Sequence, residues 1–205
     1  SLVDGGTGAD TISLGSAPVT STLEGGAGTD SIYIGKNVTG ITVSGGGASS
    51  TTDDGADTLY ISGSAVSTVI QGNGGGDTLY VGGALKTSTA RGGTGNDTLS
   101  FGTSITGSTV YGDGGRDTLN ISGAAGAGKL ISSLVQGGSD VDTTTDGSDR
   151  ISVGVAITSS TILGNAGNDT IDLDGTGLVT NSSVYGGKGQ DLVDSGAKTL
   201  SSAYV

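Results

Sequence analysis

Nine aspartates recur at one place in a glycine-dense loop: Asp10, Asp30, Asp57, Asp77, Asp97, Asp117, Asp149, Asp169 and Asp191. Their successive separations are 20, 27, 20, 20, 20, 32, 20 and 22 residues, so one unit recurs with two long intervals. If the units stack, the carboxylates form a single row about 5 Å apart. Each neighbouring pair then repels by about 0.8 kcal/mol in water, and several-fold more at an effective dielectric near 20. The eight basic residues are spread singly and cannot neutralise such a row. A divalent cation shared between one loop and the next is the chemistry this spacing asks for.

The glycines indicate which cation. Gly6, Gly8, Gly26, Gly28, Gly93, Gly95, Gly187 and Gly189 precede their aspartates by four and two residues. Glycine at such positions lets the backbone take positive φ and turn its carbonyls toward a common point. Carboxylate and carbonyl oxygens, with neither His nor Cys in the chain, suit Ca²⁺ and its roughly six to eight oxygen ligands. Mg²⁺ demands a tighter octahedron and keeps its water.

Positioning such a row needs a repeating scaffold. After each aspartate comes an alternating run, such as Thr58-Leu59-Tyr60-Ile61 or Thr98-Leu99-Ser100-Phe101, with the period of a half-buried strand. A second run precedes the next glycine pair, as in Ser108-Thr109-Val110-Tyr111. Between them a second turn is marked by Gly15, Gly35, Gly63, Gly82, Gly102, Gly123 and Gly154. Two strands and two turns make one flattened coil. Nine or ten coils in register predict an all-β, parallel β-solenoid of two sheets face to face, a rod roughly 45 Å long. Inward residues are expected to be Ile12, Leu14, Ile32, Ile34, Leu59, Ile61, Leu79, Val81, Leu99 and Phe101 on one sheet. Leu23, Val43, Ile70, Val110, Val135, Ile162 and Val184 are expected on the other. A hydroxyl column (Ser21, Thr68, Ser88, Ser108, Ser133, Ser160, Ser182, Ser201, with Ile41 the exception) reads as a structural ladder near a corner.

The loop resembles the RTX nonapeptide of hemolysin-type secreted proteins, G-G-x-G-x-D-x-U-x with U aliphatic. Gly5 to Ser13 and the runs beginning at Gly25 and Gly92 fit every fixed position. The runs at Gly72, Gly112 and Gly164 each miss one glycine, and the run at Gly186 has aliphatics at both following positions. The resemblance implies a right-handed parallel β-roll that orders when calcium binds outside the cell. Only one side of each coil carries the loop, which predicts a single row of ions. That arrangement is similar to repeats in bacterial surface-layer, cell-surface and adhesin proteins.

Composition agrees with a thin, repetitive core. The chain has 43 glycines, one proline, one phenylalanine and no Trp or Met, with a formal charge of −12. All of its acidic residues are aspartate except Glu24, and the short carboxylate suits tight turns and ligation close to the backbone. Nucleic acid is excluded by the lack of a basic patch, and no apolar run approaches the roughly 20 residues that span a bilayer. The chain opens and closes mid-pattern, which suggests a segment of a longer repetitive protein. Residues 1–205 are expected to form one solenoid.

Two insertions, 45–56 and 137–148, lengthen the loop, and a smaller one lies near 124–128. Asp53, Asp54, Asp140, Asp142 and Asp146 within them are candidates for extra calcium sites or contacts with a neighbouring molecule. The alternative is a protruding, solvated loop. Gly123 to Lys129 matches a phosphate-binding loop superficially, but Leu130 follows where Ser or Thr is required.

The expected function is a calcium-stiffened, non-enzymatic repeat module of a secreted bacterial surface protein, in a surface layer, filament or adhesin. Neighbouring copies or surface polysaccharide are the expected partners besides calcium. The alternatives are the secretion and folding domain of an exoenzyme, or ice binding by the outward threonine row.

Overall fold

The computed structural model describes residues 1–16, 18–47, 54–123, 128–139, 145–175, 177–196 and 200–201. Within them the chain winds into stacked coils of parallel strands, and the described residues contain no helix. Thus no helix is long and apolar enough to cross a membrane.

The first sheet has nine strands, from Leu2–Thr7 through Thr89–Thr94 to Ser183–Lys188, and each runs into its own glycine loop. The second also has nine, from Thr11–Leu14 through Thr98–Phe101 to Leu192–Asp194. Pairing is parallel and in register throughout. Leu79 lies beside Leu59 and Leu99, and Ile70 beside Val43 and Ala90. Both long intervals preserve the register: Thr58 still pairs with Ser31, and Arg150 with Thr118.

The expected two-sheet coil is corrected in one respect. A third, eight-stranded sheet of two- and three-residue strands occupies the side read as a bare turn, including Val38–Thr39, Leu85–Lys86, Ile105–Thr106 and Val179–Thr180. Seven of its eight strands send one apolar residue inward. Val38, Ala65, Leu85, Ile105, Leu130, Ile157 and Val179 are all buried in the common core. The coil is therefore three-sided, and that side is closed by side chains as well as by glycines.

The expected core residues are otherwise in place. All seven assigned to the first sheet are buried, as are those of the second except Ile12 and Leu14 of the first coil, which are partly exposed. Burying one such side chain contributes about 1.5–3 kcal/mol, and stacking is what buries it.

The hydroxyl column forms the expected ladder as far as Ser182, but Ser201 does not belong to it: it pairs with Thr180 in the third sheet. Ser108 Oγ accepts the Ser88 N–H at 3.1 Å and donates to the Thr106 carbonyl at 3.0 Å. The same pattern recurs at Ser88, Ser133, Ser160 and Ser182. The residue before each ladder member has positive φ, as at Ser67, Thr87, Gly107, Ser132, Ser159 and Asn181. A tight corner thus recurs in every coil.

Candidate metal centre

The loop begins inside the first sheet and ends at the aspartate that opens the second. Its sharp turn needs left-handed backbone at the second and fourth positions. Gly26 and Gly28 have φ of 112° and 123°, and Gly93 and Gly95 have 117° and 126°. In the three runs that miss a glycine, the missing one is always the second, and its replacement is Asn73, Asp113 or Asn165 with φ of 84°, 77° and 79°. Asn and Asp tolerate this region better than other side chains, so these loops keep the same turn.

The first glycine answers a different need. A methyl on Gly25 would lie 2.6 Å from Asp30 Oδ2 and overlap the Gly45 carbonyl oxygen. The same crowding by the coil's own aspartate and the next coil's carbonyl recurs at Gly5, Gly72, Gly92, Gly112 and Gly164. The carboxylate is folded back onto the loop, among the carbonyl oxygens of two successive coils.

All nine predicted aspartates stand in one column, and those from Asp30 to Asp169 are buried, each 2% exposed or less. Each carboxylate has two unlike oxygens. Oδ1 accepts the backbone N–H of the aspartate one coil earlier: Asp77 N–H to Asp97 Oδ1 at 2.7 Å, and Asp97 N–H to Asp117 Oδ1 at 2.8 Å. The chain of such bonds is unbroken from Asp10 to Asp191. Oδ2 of every aspartate from Asp10 to Asp169 in the column is buried with no hydrogen-bond partner.

That arrangement is electrostatically unfavourable when bare. Burial pushes the Asp77 and Asp149 carboxyls up to about 8, Asp57 and Asp117 to about 7, and Asp97 and Asp169 to about 6. The N–H bond from the preceding coil opposes this, and neighbouring carboxylates reinforce it. Among the described residues no three acidic side chains converge on one point. A cation here would be held by one carboxylate oxygen per coil together with loop carbonyls. Orphaned carboxylate oxygens beside inward-crowded carbonyls fit a hard, oxygen-seeking ion.

The insertions divide at the limit of the described residues. Asp53, Asp140 and Asp142 lie outside it, as does most of the 124–128 segment. Asp54 and Asp146 lie inside and point back to the loop, where the Gly74 and Ala166 N–H groups donate to their Oδ2 at 3.1 Å each. Asn73 and Asn165, in the coil after each insertion, went unnoticed in the sequence. Their side-chain amides donate to the Gly46 and Gly138 carbonyls at 3.0 and 2.6 Å, pinning the stems of the two insertions. Their signal was present: each Asn falls 19 residues after the last inserted aspartate.

Comparison with known proteins agrees with the loop geometry. The family model for the RTX calcium-binding nonapeptide repeat matches residues 2–17, 21–35, 88–102, 159–175 and 176–197. No curated protein matches the chain. Among solved structures, QnrB1, a plasmid-mediated fluoroquinolone resistance protein, is similar at 13% identity and a TM-score of 0.30, over 94% of this chain and 91% of that one. So weak a likeness carries no argument. In those five segments, under half of its length, the chain carries RTX calcium-binding nonapeptide repeats.

Proposed function

We propose that the chain is a non-catalytic structural module of a secreted bacterial cell-surface protein, in a surface layer, filament or adhesin, stiffened by a row of Ca²⁺ ions between coils. The observation that carries the ion reading is the column of buried, unpartnered Oδ2 atoms from Asp10 to Asp169. Buried polar atoms are ordinarily paired, and eight orphans in one column share one cause. Calcium fits because each interval offers carboxylate and carbonyl oxygens alone. Low calcium inside a cell and millimolar calcium outside would then tie ordering of the rod to export.

The surface role is supported by what the molecule lacks the means to do otherwise. The repeated aspartates are spent on holding coils together, and the outward face of the second sheet is a ladder of side chains. Tyr33, Tyr60 and Tyr80 stack on one another at 5.0 and 4.8 Å between ring centroids, so their faces are turned to each other. Labelling intact cells of the source organism with an antibody to this chain tests the location. Signal on intact cells is expected; signal only after lysis would overturn the surface role.

A further inference from the structure

The two insertions share a placement. Each returns to its coil three residues before the loop aspartate, at Asp54 before Asp57 and at Asp146 before Asp149. The next residue bonds back to the preceding coil, Gly55 N–H to the Gly28 carbonyl and Gly147 N–H to the Gly115 carbonyl, both at 2.8 Å, where the matching glycine of an uninterrupted coil, such as Gly75 or Gly95, donates to the following coil. In uninterrupted coils the position before this glycine is Thr7, Ala27, Gly74, Thr94, Gly114, Ala166 or Lys188. None of these is a carboxylate.

At Asp54 and Asp146 the carboxylate turns inward. It fills the space over Gly46 or Gly138, where a methyl on the glycine would overlap it. Asp54 acts electrostatically on Asp57 and Asp77 and is acted on by Asp30. Asp146 acts on Asp117, Asp149 and Asp169. Each inserted carboxylate is therefore within electrostatic reach of the loop aspartates of its own coil and of the coils on either side. Their partners carry the orphaned oxygens of the row: Asp57 and Asp149 are 2% exposed, and Oδ2 of each is buried without a hydrogen bond. Asp54 Oδ1 is likewise buried and unpartnered.

We propose that each inserted coil holds a two-carboxylate Ca²⁺ site, Asp54 with Asp57 and Asp146 with Asp149, that fills before the other intervals and starts ordering of the row. The proposal rests on the ion reading above. Ligand charge count is a main determinant of calcium affinity, and in these two coils the inserted aspartate doubles it; the extra carboxylate of another loop, Asp113, is paired with Arg91. Their positions suit nucleation: Asp57 is the third and Asp149 the seventh of the nine loop aspartates, so no loop is more than two coils from one. The insertion supplies the extra chain needed to bring a second carboxylate in, and Asn73 and Asn165 hold its stem.

Calcium titration calorimetry on the full chain tests this. Two tight sites are expected, with a weaker, larger class behind them. Asp54→Asn and Asp146→Asn should each weaken one tight site by about ten-fold or more, and the double variant should remove the tight class. Asp172→Asn, which loses a half-buried charge paired with Arg150 at 2.9 Å, should bind as the wild type does. A single class of sites that the two variants leave unchanged would overturn the two-site proposal and spare the row. No calcium uptake by the wild type would overturn both. Europium excitation spectra of the wild type give a reading without mutation, because the band position follows the number of charged ligands. Two bands are expected; one band contradicts the proposal.

Discussion

A carboxylate oxygen buried without a partner is expensive, and this molecule repeats the expense at every coil. Asp97 shows the consequences of removing one. Its Oδ1 satisfies the Asp77 N–H, and its orphaned Oδ2 faces the interval. Asp97→Ala should destabilise the calcium-loaded protein by about 1–3 kcal/mol from the unpaired N–H alone, and should weaken the two ion sites it borders. Asp10→Ala should do less, because no preceding coil donates to Asp10. Thermal unfolding of both at saturating calcium checks the order; equal losses would argue against sharing between coils. The raised carboxyls give a second expectation. A carboxyl whose folded pKa lies above the ordinary 3.8 stabilises the fold fully below that value, and loses this contribution as pH rises through the folded pKa. With these carboxyls at about 6 to 8, the calcium-free protein should be more stable at pH 5 than at pH 8, the reverse of ordinary acid denaturation. Far-ultraviolet circular dichroism in chelator at the two pH values measures it, with more β-structure retained at pH 5. Gly92→Ala should also be harmful, since its methyl would overlap Asp97 Oδ2 and sit 2.6 Å from the Gly112 carbonyl oxygen; overpacking of this kind costs about 1–3 kcal/mol.

At the scale of elements, the sheets and the hydroxyl ladder carry stability that does not depend on the ion. Leu85→Ala opens a cavity under the short third sheet, where Leu85 is fully buried, and should cost about 2–5 kcal/mol. Ser108→Ala removes the acceptor for the Ser88 N–H and should cost about 1–3 kcal/mol with calcium affinity unchanged. Denaturant melts at saturating calcium, read beside calcium titrations, separate the two effects. The sequence was legible where side chains alternate. The strands of three or four residues after each aspartate and the core residues of the first sheet follow from period and phase alone. The third sheet was hidden because its strands have only two or three residues, as at Ala65–Val66, too short to show a period. Glycines such as Gly63 and Gly82 nearby read as a turn, and that turn is present. The loops were legible by their glycines. Asn73 and Asn165 were not, because an amide at positive φ that also pins a neighbouring loop looks in sequence like a lost glycine.

For the whole molecule, the stack makes stability cooperative in one dimension. Each coil buries its apolar residues only against its neighbours, so ordering spreads along the axis rather than arising everywhere at once. A cation between coils would supply the coupling that a row of carboxylates otherwise opposes. The chain is acidic overall, with a net charge of −12, so relief of that repulsion acts on the entire rod. The central claim is that calcium orders it. The direct measurement is a calcium titration of chelated protein followed by far-ultraviolet circular dichroism, with thermal melts at both ends. The account predicts loss of β-structure in chelator, its return over a narrow range of calcium, and a higher melting temperature when loaded. A chelated protein with the same spectrum and the same melting temperature would contradict it.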